Sequence, residues 1–321
     1  MLKKIWIAAA MVWLQALLGL ILLLVAGDIL VRGAVNFSLK IKIPAFIVSL
    51  TVVALGTSAP ELLVAIRATL DDAPGIALGN VVGSNIANVF LVLGIPALIA
   101  GINTSNCNTG KNYLFMMAAT IVFLSLSFSG NFSPSHGFVL LFLLAVFLFV
   151  TARDTLKMHK EIPSSEVENA DPKLAFWKII LFLSLGLIGL PVGADILIEN
   201  ASLIAKSYGL SDEIIGLTLI ALGTSLPELA TTLMAALRRQ AEVALGNVIG
   251  SNIFNILAIV GITTMFGNLP IAASFYNFDF WIMFGAGIVL FPFVYMRVNI
   301  TRLWGAFLTL SYASYLYLTI Q

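Results

Sequence analysis

A helix needs about 20 apolar residues to cross the hydrocarbon core of a bilayer, and this sequence offers that pattern ten times. The runs lie at roughly 5–26, 43–69, 76–101, 113–129, 135–152, 174–197, 214–237, 243–266, 279–296 and 303–320. Ten such runs leave little of the 321 residues for a water-soluble domain. Only 10% of the residues are charged and 60% are hydrophobic, whereas a soluble domain carries about 25% charged residues. That excludes a cytosolic enzyme, a nucleic-acid binder and a disordered chain. A net charge of +1 implies no polyanionic partner. The single cysteine, Cys107, makes no intrachain disulfide and belongs to no zinc-type cluster. The expected fold class is an all-α polytopic membrane protein with ten transmembrane helices.

Lys3 and Lys4 before the first run resemble the start of a signal peptide, but no clear small-residue cleavage site comes after them, so a retained helix is expected. The longest polar stretch, 153–173, divides the chain near its middle and reads as a solvated linker. It separates a first half, 1–152, from a second, 174–321. When alternate loops are assigned to alternate sides, one side collects 13 lysines and arginines and the other 4. The rich side should be cytoplasmic. The linker then faces the cytoplasm and both termini face outward, in a protein of the cell membrane.

The two halves are related. ALGTSAPEL at 54–62 returns as ALGTSLPEL at 221–229, and ALGNVVGSNIAN at 77–88 returns as ALGNVIGSNIFN at 244–255. Both pairs share one offset of 167 residues. Apolar chains match by chance through Leu, Ile, Val and Ala, not through Gly, Thr, Ser, Pro, Glu and Asn. The repeats cover about 43–101 and 214–266, the second and third spans of each five-span half. Five is odd, so the second half should cross in the opposite sense. The expectation is two inverted five-helix repeats with a substrate site near the midplane, an architecture of secondary transporters.

Within the first block, Pro60 has no N–H for the carbonyl of Gly56, so the helix should kink and carbonyls near Ala54 to Thr57 should lose their partners. Freed backbone at membrane depth must line a cavity or meet protein. Thr57, Ser58 and Glu61 can share one helix face, and Thr224, Ser225 and Glu228 repeat the arrangement. The second block adds Ser84 and Asn88, echoed by Ser251 and Asn255. Carboxylates, hydroxyls, amide oxygens and carbonyls, without Lys, Arg, His or Cys, make a ligand set for hard cations. An ionised carboxylate at the bilayer centre costs several kcal/mol, and two facing each other cost more. One Ca²⁺, two Na⁺ or two protons would neutralise Glu61 and Glu228, and competition for one pair is a basis for exchange. Asn85 and Asn252 fit either ligation or the support of broken backbone. Asp28 and Asp195, also a repeat pair, fit a cap or interfacial contact better than ion binding. Arg67, Asp71 and Asp72, and Arg238 with Arg239, read as solvated loops.

GTSAPE with GNVVGSNIANVF, and GTSLPE with GNVIGSNIFNIL, resemble the two α-repeats of the cation/calcium exchanger superfamily, most closely its prokaryotic sodium/calcium exchanger branch. The proton/calcium branch carries GN-x-x-E in place of GTS-x-PE and looks less similar. The resemblance implies Na⁺-driven Ca²⁺ transport by alternating access, with Ca²⁺ and Na⁺ as substrates, no cofactor and no obligate protein partner. It implies that Glu61 and Glu228 are shared central ligands and that the carbonyls of Thr57 and Thr224 complete a Ca²⁺ site. Ser58 and Ser84 with the Ala54 carbonyl would form one Na⁺ site. Ser225 and Ser251 with the Ala221 carbonyl would form its mirror. Asn88 and Asn255 would line the middle, and the first and sixth helices would slide as gates. Some relatives have Asp where this chain has Asn255, so two central carboxylates rather than three argue against K⁺ co-transport. An intramembrane hydrolase would need a base beside a nucleophile, and the repeat blocks hold no histidine. A cation channel and a Ca²⁺/H⁺ antiporter are the alternatives.

Overall fold

The computed structural model describes residues 2–105, 107–158, 174–208 and 221–320. The described chain is built of helices: α1 (Leu2–Ile41), α2 (Ala45–Leu70), α3 (Pro74–Ala100), α4 (Gly110–Ser127), α5 (Pro134–Met158), α6 (Phe176–Ser207), α7 (Leu226–Leu237), α8 (Ala241–Thr263), α9 (Phe275–Val294) and α10 (Arg302–Ile320). Among the described residues, eight are long and apolar enough to cross a membrane: α1 to α6, α8 and α9. The expected run 214–237 lies partly outside the described residues, and its described part ends in the 12-residue α7. The run 303–320 is helical as α10. The polar stretch expected to begin a linker at 153 is still helix as far as Met158; residues 159–173 lie outside the described residues.

Apolar side chains cover the outside as well as the inside, which only a lipid environment tolerates over so large an area. Trp13, Phe142, Phe149, Trp281 and Leu303 are all exposed. In contrast, α8 is surrounded by protein along its apolar window. Its glycines allow this: a Cβ on Gly246 would lie 2.7 Å from the Phe46 carbonyl, and one on Gly250 would lie 2.4 Å from that of Leu50. Small residues permit such backbone approach between membrane helices.

α1 and α6, the first helices of the two halves, pack on each other antiparallel. A Cβ on Gly19 would strike Leu197, one on Gly193 Leu23, one on Gly186 Leu30 and one on Gly33 Leu183. As one number rises, its partner's falls. The loops show the same reciprocity. Asn131 and Phe132, between α4 and α5, pair as strand β1 with β2 (Leu269–Pro270), between α8 and α9. Ile102, between α3 and α4, bridges Ile300, between α9 and α10. Each half thus lends one loop to the other, in exchanged positions.

One expectation about the loops is corrected. Arg238, at the end of α7, is not a solvated loop residue: its Nε lies against Asp28 of α1, which also holds Arg32 at 3.0 Å. The Arg238 and Asp28 side chains are 21% and 19% exposed. Asp28, expected to be a cap or interfacial contact, instead lies inside α1 and pairs with another helix. Arg67 and Asp71 pair at 3.6 Å but stay in solvent.

Candidate cation site

The two GTS-x-PE blocks fold alike, and proline is the reason. α2 is interrupted at Ser58 (φ −86°, ψ 6°), and α7 starts after Ser225 (φ −86°, ψ 0°). Pro60 and Pro227 then sit in the first turn of a new helical segment, where a missing N–H costs nothing. Glu61 and Glu228 fall in the same first turns, where the helix dipole favours a carboxylate. The break does not free every carbonyl expected of it. Ala54 accepts the Ser58 N–H at 3.0 Å, and the Thr57 hydroxyl has two acceptors in reach, Ala54 O at 3.3 Å and Asn247 Oδ1 at 3.4 Å. In the second copy Ser225 N–H reaches Leu222 at 3.1 Å, a tighter step. Ala221 begins the described segment there.

Both glutamates are buried, each 1% exposed. One side chain crosses between the halves to meet Glu228, and another crosses beside it. Ser58 donates to Glu228 Oε1 at 3.0 Å, and Ser251 approaches the same oxygen at 3.5 Å. Asn88 donates to Asn252 Oδ1 at 3.0 Å. Ala54, Thr57, Ser58, Ser84, Asn88, Ser225, Ser251 and Asn255 are all buried, and Thr224 is half-buried. Of the sequence-predicted residues, Ser58 and Ser251 thus meet one of the two carboxylates.

Within this polar interior several oxygens meet no hydrogen-bond partner: Glu61 Oε2, Glu228 Oε2, Asn85 Oδ1, Asn88 Oδ1, Asn255 Oδ1 and Ser225 Oγ. A buried polar atom without a partner is costly and calls for an explanation. Six of them gathered on the repeat motifs are the donor chemistry of a hard cation, which takes oxygen ligands. No group of three or more His, Cys, Asp or Glu is placed to hold a metal among the described residues, so neutral oxygens must complete any coordination shell. A cavity of about 440 Å³ opens beside the site, between α6 and the two broken segments. Its lining includes Pro60, Thr224 and Pro227 from the motifs and Asp195 and Glu199 from α6.

Two features went unread in the sequence. Asn88–Val92 and Asn255–Ile259 are π-helical, and such wide turns recur at functional sites. Both begin at a candidate ligand and stand at the repeat offset. Asn80 and Asn247, inside the repeated ALGN, donate to the backbone carbonyls of Glu61 (3.2 Å) and Glu228 (3.3 Å). The available signal was the duplication itself, which does not separate a ligand from its support.

Comparison with known proteins fits this arrangement. Residues 11–153 and 178–321 match the family described as sodium/calcium exchanger protein. The chain is 33% identical to the sodium/calcium exchanger MaX1 of Methanosarcina acetivorans, over 95% of this chain and 97% of that one. It is 33% identical to the putative antiporter CaxA of Alkalimonas amylolytica, over 94% and 96% of the two chains. Among solved structures, the sodium-calcium exchanger NCX_Mj superposes with a TM-score of 0.81 at 34% identity, covering 95% of this chain and 97% of its own.

Proposed function

This chain belongs to the sodium/calcium exchanger family, and we propose that the exchange it performs, Na⁺ against Ca²⁺ across a membrane, runs through one buried site held by Glu61 and Glu228. The observation that carries this reading is the set of buried oxygens without partners on the repeat motifs, including one from each of the two buried carboxylates. Ionised carboxylates at membrane depth are costly, so the site favours a cationic occupant. One Ca²⁺ neutralises both, and so do two Na⁺. Because the two loads need the same oxygens, they bind alternately, and the costly bare site resists crossing without a load. That is the physical content of antiport here.

In this reading the Thr57 and Thr224 carbonyls complete the Ca²⁺ shell. Ser58 and Ser84 with the Ala54 carbonyl, and Ser225 and Ser251 with that of Ala221, serve flanking Na⁺, and Asn88 and Asn255 line the middle. Asn255 brings no charge, so the load is set by two carboxylates and K⁺ is not carried. The scaffold is two inverted five-helix halves, 1–152 and 174–321. The antiparallel α1–α6 packing and the exchanged loop pairings support that division. In the cell membrane the stretch 153–173 faces the cytoplasm and the termini face outward, as the basic residues dictate.

The test is ⁴⁵Ca²⁺ uptake into proteoliposomes under an imposed Na⁺ gradient, with and without valinomycin. The expected result is uptake that needs internal Na⁺ and responds to the clamped potential. Uptake driven by a pH gradient in the absence of Na⁺ would instead show a proton-coupled carrier.

A further inference from the structure

Asn80 and Asn247 each make the same two connections. Asn80 Nδ2 donates to the Glu61 carbonyl of its own half at 3.2 Å, and its Oδ1 accepts the Thr224 hydroxyl of the other half at 3.3 Å. Asn247 Nδ2 donates to the Glu228 carbonyl at 3.3 Å, and its Oδ1 faces the Thr57 hydroxyl at 3.4 Å. Asn247 also donates to Thr232 at 3.1 Å. A carbonyl cannot donate, so the amide nitrogen must point at the glutamate backbone and the amide oxygen at the threonine. Each amide therefore ties the turn carrying one glutamate to the broken turn of the opposite motif.

We propose that Asn80 and Asn247 are positioning residues that hold the spacing of the two carboxylates across the interface between the halves, and so set how tightly the shared site takes Ca²⁺. The assignment rests on the reading that Glu61 and Glu228 are the ion ligands. Few other side chains serve. Aspartate would set an oxygen against the glutamate carbonyl, and alanine would leave both groups unmatched. The two amides form a set related by the repeat offset, which packing alone does not require. Without them a carboxylate pair still exists, but its geometry no longer fits one divalent ion.

The experiment measures Na⁺-dependent ⁴⁵Ca²⁺ uptake by the full chain in proteoliposomes for N80A, N80D, T224V and T57V, with E61Q and E228Q in the same series. Asn80 is half-buried, so N80A carries the test where N247A, in a fully buried position, fails to fold. Thermal unfolding confirms that each variant is folded. The expected result for N80A is a KM for Ca²⁺ raised roughly tenfold with kcat within about twofold, and a larger loss for N80D. N80A with T224V should be little worse than either alone, because both cut one connection, while N80A with T57V should multiply. A KM for N80A within about twofold of the parent, or multiplying effects for N80A with T224V, would overturn the proposal while leaving the ion site intact. Transport at the parent rate by E61Q or E228Q would overturn the site reading and this one with it.

Discussion

Glu61 and Glu228 each sit three residues after a threonine-serine step and one after a proline, and every atom of that spacing has a use. The proline starts a helical segment without wasting a hydrogen bond. In the first copy the serine before it turns toward the opposite half, where Ser58 donates to Glu228, while Ser225 Oγ in the second copy meets no partner. Asn255, with neither amide atom matched, faces the same interior. Replacing it with aspartate adds a third carboxylate, which one Ca²⁺ cannot neutralise. N255D is therefore expected to steepen the dependence of Ca²⁺ release on Na⁺, read as a higher Hill coefficient in flux assays; an unchanged coefficient would place Asn255 outside the site. Most of this chemistry was legible, because Gly, Thr, Ser, Pro, Glu and Asn do not recur by accident at one offset. The crossing contacts were not. Ser58 meeting Glu228, or Asn80 meeting Thr224, depends on how two distant segments face each other, which no local pattern encodes.

Elements show where packing overrides composition. The apolar runs marked out most of the helices, since bilayer thickness fixes their length. They did not reveal the interruption at Ser58 as one clean joint, nor the π-helical turns after Ala87 and Phe254, because an apolar run fixes a helix's length and not the pitch of its turns. The α1–α6 pair is the element with the least room. Gly193→Val would push a branched side chain into the α1 backbone, 2.7 Å from Leu23 N. Overpacking costs about 1–3 kcal/mol, so thermal unfolding of the purified protein should occur at clearly lower temperature and uptake should fall; parental stability would show that the helices separate freely. The ion pairs offer a paired comparison. Arg238–Asp28 is four-fifths buried, and R238Q should cost about 1 kcal/mol. Arg67–Asp71 is solvated, and R67Q should leave the unfolding midpoint unchanged. Equal effects would contradict the burial difference. A charge run read as solvated misled at Arg238 alone, since its partner lies 210 positions away in sequence.

Over the whole molecule, two related halves meet beside a pair of buried acids, one from each half. α8 runs through the protein interior and brings Asn247, Ser251 and Asn255 to the joint, while α2 and α3 bring Glu61, Asn80 and Asn88. The cavity beside α6 reaches Thr224 and the motif prolines Pro60 and Pro227. The proposed exchange depends on both glutamates holding the same ion. Anomalous diffraction from crystals soaked in Sr²⁺ measures that directly. The expected result is one strong peak within about 2.3–2.7 Å of carboxylate oxygens from both Glu61 and Glu228, lost when Na⁺ replaces Sr²⁺. A peak bound by one glutamate alone, or by neither, would contradict it.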